Sequence, residues 1–371
     1  MLLQRRVLGR RCISTFSVLL NSSKQPTLQP TFDIDNINDL PFNDKISLQW
    51  KQLVPYKIKL NKEETPVLFL HGLFGSKLSF NKTGRLFSEV TKVPTYALDL
   101  RNHGESPHVL PFSYTQMAQD VCHFIKERKW DKCVLVGHSM GAKVAMLVGL
   151  LYPDLVSKLV VIDNTPHAMP LDPHYRLDIL GMCEVEAHPE LYKKGSNGRR
   201  VTEVKAINRF LCKYEKSPLV RSLLMSNLLL THKDIANPHV KDRLKEVFRI
   251  PVMNFWKYDI IKTVESWPDL PPNFDKFTHP TLVMYGNQSP FVKPEYFQVF
   301  EEYFTDLKFR EFDCGHWISH DAPGEFVNEL VKFISPFWKK SDYKGKSNTK
   351  NNKPKPRPPK PGRYPPGLDL K

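Results

Sequence analysis

A serine lies between two glycines in the segment Gly137-His138-Ser139-Met140-Gly141. The apolar run CVLV precedes this segment and a helical pattern of small and apolar residues follows it, which is the strand–turn–helix context of a nucleophile elbow. Glycines two positions to either side of Ser139 remove the Cβ clashes of such a sharp turn. An incidental serine in a glycine-rich turn is the alternative interpretation. The context favours Ser139 as a nucleophile in acyl-transfer chemistry.

A serine nucleophile needs a base, and the segment FDCGHWISHDAP offers His316 directly after the last predicted strand. The order serine, acid, histidine along the chain is that of the α/β-hydrolase arrangement. Five other histidines are given other roles: we expect His71 to order a turn, His320 to be structural, and His103, His108 and His138 to lie in loops.

The acid that orients the histidine is the least obvious member of the set. The loop after the penultimate strand, where such an acid usually lies, offers only Asn, Gln and Ser at positions 287–289. A neutral side chain cannot stabilise an imidazolium as a carboxylate does. Asp163 ends the preceding strand, in LVVIDNTPHAMP, and its carboxylate would lie on the same sheet edge. We therefore predict Asp163 as the acid; the rival Asp99 fits better as a residue that shapes its loop together with Arg101.

An oxyanion hole requires two backbone N–H groups that face the charge developing on the substrate. One N–H should come from Met140, the residue after the nucleophile. The other should come from the turn in FLHGLFGS, which directly follows an apolar strand, and Leu73 is the residue predicted there.

These residues need a frame that brings them together, and the hydrophobic pattern predicts one. Apolar runs typical of strands buried on both faces occur at Thr65–Leu70, Pro94–Leu98, Lys132–Val136, Lys158–Ile162, Thr281–Tyr285 and Lys308–Phe312. Helical patterns occur at Thr115–Arg128, Met140–Leu151, Pro294–Phe304 and Pro323–Phe337. This alternation predicts an α/β protein with a mostly parallel sheet.

The alternation stops at about residues 164–278, which we predict to be a helical cap inserted between the sixth and seventh strands. Helix-like patches within this stretch are Pro189–Lys194, Val201–Tyr214, Pro218–Leu230 and Pro238–Val247. Such a cap would lie above the strand ends that carry the candidate residues.

The positive charge is concentrated at the two ends of the chain. The net charge is +15 over 371 residues, of which residues 1–32 carry +5 and residues 339–371 carry +9. Residues 33–338, predicted to be the catalytic domain, are therefore nearly neutral, which speaks against a nucleic-acid-binding surface. Residues 1–32 are rich in arginine and free of acids, which predicts a mitochondrial presequence and a mitochondrial location. Residues 339–371 hold seven prolines and few apolar residues, so we predict a disordered basic tail.

Two further classes are disfavoured by composition. The six cysteines are scattered and form no C-x-x-C pair, which argues against a zinc site and against a disulfide framework. No apolar run approaches the length needed to cross a bilayer, so we expect no membrane span.

The motifs HGLFGS, LDLRNHGESPH, GHSMGAKVAM, VVIDNTP and GHW occur in this order. They resemble the α/β-hydrolase-fold group that contains bacterial acyl esterases with a displaced acid, their mitochondrial relatives and the yeast ethanol acetyltransferases. The similarity covers roughly residues 46–338. It implies an α/β-hydrolase fold and a triad of Ser139, Asp163 and His316. The presequence composition and the segment HGLFGSKLSF favour the yeast acetyltransferase subgroup.

That subgroup implies a serine acyltransferase that makes acetate esters such as ethyl acetate from acetyl-CoA and an alcohol through an acyl-serine, with thioesterase and esterase side activities. Its partners would be a small-molecule acyl donor and an alcohol, with acetyl-CoA as substrate and no cofactor or metal. The CoA would be held by the cap or by basic residues such as Arg101 or Lys143. Two alternatives stay open: a mitochondrial serine esterase, thioesterase or lipase without a dedicated alcohol acceptor, and a non-catalytic binding partner of mitochondrial enzymes.

Overall fold

The computed structural model describes residues 30–335 except 56–57, 189–190, 195–199, 203, 230–246 and 273. The side chains of 192–194 and 200–202 are also outside the description. The predicted basic tail lies outside the described residues, as does the predicted presequence apart from residues 30–32.

The frame of the molecule is a seven-stranded sheet. Its strands in chain order are β1 (Trp50–Gln52), β2 (Val67–Leu70), β3 (Thr95–Leu98), β4 (Cys133–His138), β5 (Val156–Ile162), β8 (Thr281–Gly286) and β9 (Leu307–Phe312). Their order across the sheet is β1-β3-β2-β4-β5-β8-β9, with β1 antiparallel and every other neighbouring pair parallel. The prediction of an α/β protein with a mostly parallel sheet is confirmed.

The sheet is buried on both faces, which is why its strands read as continuous apolar runs. Helices α2 (Tyr114–Glu127) and α3 (Met140–Leu151) cover one face, and α1 (Asn81–Thr91) and α11 (Pro323–Ile334) cover the other. All four residues of β2 and the first five of β4 are buried. The helix predicted at Pro294–Phe304 is shorter than expected, since a single turn at Pro294–Tyr296 leads into α9 (Phe297–Glu301).

The insertion after β5 forms the cap. Its described elements are α4 (His174–Ala187), β6 (Tyr192–Lys194), β7 (Arg200–Thr202), α5 (Val204–Leu211), α6 (Pro218–Met225), α7 (Val252–Lys257) and α8 (Ile260–Glu265). The cap therefore contains a two-stranded hairpin, β6–β7, where helical patches were predicted, while most of the patch Pro238–Val247 lies outside the described residues.

The insertion lies between the fifth and sixth strands, in chain order, of the seven-stranded sheet. The prediction that it lies between the sixth and seventh strands is therefore wrong by one strand. None of the helices in the described part of the chain is both long enough and apolar enough to cross a bilayer. A single helical turn at Pro153–Leu155 precedes β5, and the short helix α10 (Ile318–Asp321) directly follows the His316 segment.

Candidate active site

Ser139 lies in a sharp turn between β4 and α3. Its backbone has φ 54° and ψ −119°, in the left-handed half of conformational space that side chains rarely adopt. Such a residue costs about 1–3 kcal/mol and persists only where its surroundings enforce the turn. A Cβ on Gly137 would lie 2.1 Å from the carbonyl oxygen of Gly141, so only glycine fits there. The local sequence thus forms the elbow predicted for it.

Asp163 and His316 meet at the same edge of the sheet. Asp163 follows the end of β5 and is fully buried, and its Oδ2 accepts a hydrogen bond from Nδ1 of His316 at 2.6 Å. A carboxylate that accepts from Nδ1–H holds the imidazole in one tautomer and leaves Nε2 to accept a proton. Asp163 is also held by the backbone N–H of Gly286, which donates to its Oδ1 at 3.2 Å.

The neutral loop after β8 contributes to this acid. The Ser289 hydroxyl donates to Oδ2 of Asp163, so that oxygen accepts from both a serine and the histidine. In the sequence alone, position 289 is only a place where an acid is missing. Its role depends on a contact between residues 126 positions apart, for which the sequence carries no local signal.

His138 supports His316 from below. It is the last residue of β4 and not a loop residue as predicted, and its Nε2 donates to the carbonyl oxygen of His316 at 2.9 Å. The centroids of the two rings lie 4.6 Å apart, and the ring centroid of Phe291 lies 4.4 Å from that of His316. Burial lowers the pKa of His138 to about 3, so His138 stays neutral and positions its neighbour.

The two predicted oxyanion donors belong to segments that adjoin Ser139. Met140 is the first residue of α3, where N–H groups have no acceptor within the helix. The turn that carries Leu73 lies against the nucleophile, because a Cβ on Gly72 would come within 3.0 Å of the Ser139 Cβ. The assignment of these donors stays a prediction.

His71 orders this turn, as its sequence context suggested. The backbone N–H of Leu100 donates to its Nε2 at 3.0 Å, and its Nδ1 donates to the carbonyl oxygen of Gly72 at 2.8 Å. Both ring nitrogens are therefore hydrogen-bonded to the backbone. Burial lowers the pKa of His71 to about 4, which keeps the ring neutral.

A cavity of about 490 Å³ opens above the elbow. Ser139 and His316 form part of its floor, together with Leu73 and Phe74 from the turn after β2. The cap forms the opposite wall. His320, predicted to be structural, lines the mouth of this cavity and pairs with Asp321.

Asp99 and Arg101 do not act on each other as predicted. Buried Asp99 accepts hydrogen bonds from the backbone N–H groups of Lys77 and Glu105, and its carboxylate pairs with the Lys77 ammonium. Arg101 is fully buried and forms a two-pronged pair with Asp120, at 2.6 and 2.8 Å. Asp99 thus shapes the loop after β3 with Lys77.

Lys143 is likewise engaged inside the protein. Its ammonium donates to the carbonyl oxygens of residues 264, 265 and 266, and burial lowers its pKa to about 7. Neither Lys143 nor Arg101 lines the cavity, so the expectation that one of them holds CoA is wrong. Within the described part of the chain, no three His, Cys, Asp or Glu side chains come together as a metal site would require.

The sequence matches a family model described as the alpha/beta hydrolase family over residues 67–330. An abhydrolase domain-containing protein of Schizosaccharomyces pombe is 34% identical over 289 residues, which are 76% of this chain and 99% of that protein. A probable alcohol acetyltransferase of Wickerhamomyces anomalus is 31% identical over 82% of this chain and 89% of its own length. Ethanol acetyltransferase 1 of the same yeast is 30% identical over 81% of this chain and 77% of its own length.

Among solved structures, a marine microorganism esterase superposes with a TM-score of 0.64. It is 24% identical in sequence, and the match covers 78% of this chain and all of that one. At this identity the likeness shows the fold alone.

Proposed function

The chain belongs to the alpha/beta hydrolase family of enzymes, and we propose that it is a serine acyltransferase that makes acetate esters from acetyl-CoA and an alcohol. One observation carries the proposal: the Asp163–His316 hydrogen bond lies beside the strained Ser139 elbow, on the floor of a cavity that the cap covers. The names of the relatives, ethanol acetyltransferase and probable alcohol acetyltransferase, support acetyl transfer to an alcohol and favour ethanol as the alcohol.

In the first half-reaction Ser139 would attack the thioester carbonyl carbon while Nε2 of His316 takes the hydroxyl proton. The carbonyl oxygen becomes an oxyanion, which the N–H groups of Leu73 and Met140 would stabilise. The C–S bond then breaks, and the proton passes from His316 to the leaving CoA thiolate. An acetyl ester of Ser139 remains.

In the second half-reaction an alcohol replaces the thiol and the same steps run in reverse. His316 takes the proton of the incoming hydroxyl, the alcohol oxygen attacks the acetyl carbon, and Ser139 recovers its proton. Ethanol yields ethyl acetate, whereas water yields acetate by the same path. Thioesterase and esterase activity are therefore expected side reactions, and their share depends on how well the cap excludes water.

The charge of the cap supports a polyanionic acyl donor. Between residues 204 and 221 the chain carries five cationic residues, Lys205, Arg209, Lys213, Lys216 and Arg221, against the single acid Glu215. Leu219 and Val220 of the same segment line the cavity, and Lys213 and Lys216 are exposed. The cationic residues themselves do not line the cavity, but a positive surface on a segment that does would attract phosphate groups such as those of CoA.

The proposal is tested with the purified protein, acetyl-CoA and ethanol, with ethyl acetate and acetate measured in the same samples. We expect ester formation that depends on ethanol and that Ser139→Ala abolishes. Acetate release without ester would show a thioesterase and contradict the proposed transfer step. Activity that survives Ser139→Ala would contradict the acyl-serine intermediate. The absence of activity with both ethanol and water as acceptors would favour the alternative of a non-catalytic binding partner.

The charged cap surface has its own test. The double variant Lys213→Glu/Lys216→Glu should raise KM for acetyl-CoA and leave KM for S-acetylpantetheine, which lacks the phosphate groups, nearly unchanged. Equal effects on both donors would contradict a role for these lysines in binding the nucleotide end.

We further propose a mitochondrial location, which rests on the composition of residues 1–32. Fluorescent fusions of the chain with and without these residues test it. Import that does not depend on residues 1–32 would contradict their role as a presequence.

A further inference from the structure

The turn after β2 that carries the predicted oxyanion donor Leu73 is strained. It is closed by a hydrogen bond of 3.0 Å from the N–H of Gly75 to the carbonyl oxygen of Gly72. Phe74 stands at the third position of this β-turn with φ 61°, as a type II turn requires, and glycine or asparagine normally occupies that position. A phenylalanine in this conformation persists only where neighbouring groups enforce the turn.

One of the groups that enforce the turn comes from the cap. Asn227 follows α6, is 2% exposed, and donates from Nδ2 to the carbonyl oxygen of Phe74 at 2.8 Å. The same Nδ2 donates to the carbonyl oxygen of Leu223 at 3.3 Å. Both partners are carbonyl oxygens, so only the NH2 end of the amide can serve them.

The cap holds the backbone of Asn227 as well. Its N–H donates to the carbonyl oxygen of Leu224 at 3.1 Å, and its carbonyl oxygen accepts from the N–H of Arg249 at 2.7 Å. Helix α6 directly precedes this residue, and Leu219 and Leu223 of α6 line the cavity. The position of Asn227 is therefore tied to the position of the cap wall.

Two planar peptide units connect Asn227 to the predicted oxyanion donor. The carbonyl of Phe74 and the N–H of Gly75 belong to one unit, and Asn227 holds that unit at its oxygen. The N–H end of the unit donates to the carbonyl oxygen of Gly72. The carbonyl of Gly72 and the N–H of Leu73 belong to the second unit, and in a trans peptide they point in opposite directions. The direction of the Leu73 N–H therefore depends on the hydrogen bond from Asn227.

We propose that Asn227 is a positioning residue of the oxyanion hole, which orients the Leu73 N–H and couples it to the seating of the cap. The inference rests on the acyl-serine mechanism of the proposed function. Asn227 does not line the cavity, so it acts through the turn. A preorganised oxyanion donor stabilises the charged transition state more than the neutral ground state. Loss of its alignment should therefore weaken the binding of an oxyanion and leave the binding of a neutral carbonyl compound nearly unchanged.

Two ketones that differ in one group test this assignment. The Ser139 oxygen adds to the carbonyl carbon of trifluoroacetophenone, its proton passes to Nε2 of His316, and the carbonyl oxygen becomes the oxyanion of a covalent adduct. Acetophenone lacks the electron-withdrawing fluorines and binds as the neutral ketone. Both are measured as inhibitors of 4-nitrophenyl acetate hydrolysis.

Asn227→Leu keeps the approximate volume of the side chain and removes the donor. We expect it to weaken inhibition by trifluoroacetophenone, and to lower kcat/KM for the ester, by about tenfold or more. The removal of an oxyanion donor itself costs about 10²–10³-fold, and here the donor is misdirected rather than removed. Inhibition by acetophenone should change by less than about twofold.

Asn254→Leu is the matched control. Asn254 on α7 is also buried, and it donates from Nδ2 to the carbonyl oxygen of Asn38 at 2.8 Å. This variant removes a similar hydrogen bond between the cap and a segment outside it, far in sequence from the turn. It should leave inhibition by both ketones within about twofold of the wild type.

The outcomes separate this inference from the proposed function. Equal weakening of both ketones by Asn227→Leu, or the same weakening of trifluoroacetophenone by Asn254→Leu, would show a general loosening of the cap and overturn the role of Asn227. Unchanged inhibition by trifluoroacetophenone in Asn227→Leu would overturn it too. Inhibition by trifluoroacetophenone that Ser139→Ala leaves intact would instead overturn the acyl-serine mechanism, and with it this inference.

A second readout needs no variant. Because coupling between two sites is reciprocal, an oxyanion at Ser139 should stabilise the cap around Asn227. We expect backbone amide hydrogen exchange in residues 224–229 to be slower with saturating trifluoroacetophenone than with saturating acetophenone, while α7 exchanges alike with both. Equal exchange of residues 224–229 with the two ketones would contradict the coupling even if Asn227→Leu fails to fold.

Discussion

Replacing Asp178 with asparagine should change how the stability of the protein depends on pH. Burial and the nearby Glu215 raise the pKa of Asp178 from 3.8 to about 8. The folded protein therefore keeps a proton that the unfolded chain releases above about pH 4. Stability from this group is fully present below pH 4 and is lost as the pH rises towards 8, because the unfolded state binds fewer protons in this window.

The size of the effect follows from the proton difference. One proton corresponds to a little over 1 kcal/mol per pH unit, so the wild-type protein should lose about 3 kcal/mol between pH 5 and pH 7 through this group. Asparagine imitates the protonated side chain at every pH. Asp178→Asn should therefore lack this part of the slope and exceed the wild type in stability at pH 7.

Urea unfolding followed by tryptophan fluorescence at pH 5, 6, 7 and 8 measures both quantities. Asp131→Asn is the matched control, because Asp131 is exposed and the same charge is removed. Other titrating groups act alike in all three proteins and cancel in the differences. If Asp178→Asn and the wild type show the same dependence on pH, Asp178 does not hold a proton in the folded state and the reasoning fails.

Three further substitutions test the catalytic floor. Asp163→Asn should lower kcat by about 10⁴-fold with little change in unfolding temperature, because it removes the carboxylate that fixes the His316 tautomer. A loss of kcat below tenfold would exclude Asp163 as the orienting acid. Gly137→Ala should destabilise the protein by about 3 kcal/mol or more, since the new Cβ would lie 2.1 Å from the Gly141 carbonyl oxygen; a wild-type denaturation curve would contradict the elbow geometry. His138→Phe keeps an aromatic ring and removes the hydrogen bond to the backbone of His316. We therefore expect kcat to fall about tenfold while KM for acetyl-CoA stays within twofold. Equal shifts in kcat and KM would indicate a general loss of structure.

The sequence by itself determined those features whose signal is local. The parallel strands are buried on both faces, so each appears as a continuous apolar run that can be recognised without its neighbours. The nucleophile elbow is contained within five residues, and its glycines are recognisable because any side chain at those positions would clash with the backbone. His316 could be placed because it directly follows the last strand of the sheet. Even the displaced acid, Asp163, was reachable, since the loop after β8 offered no carboxylate.

Strand β1 carried no such signal. It is a short edge strand of partly exposed, mixed residues, and only its pairing with β3 defines it. The same limit applies to the cap, where the three-residue strands β6 and β7 are defined only by their pairing with each other.

Only the tertiary structure decided which polar groups are occupied and which are free. In the sequence, Arg101 and Lys143 are available to bind an anion. In the structure both are buried: Arg101 pairs with Asp120, and Lys143 donates to three carbonyl oxygens. Asp178 and Glu215 attracted no notice because 37 positions separate them, and neither forms a motif. Hydrogen bonds and burial depend on distances between segments that are far apart in the chain. The sequence reveals such distances only where a steric constraint requires a particular residue type.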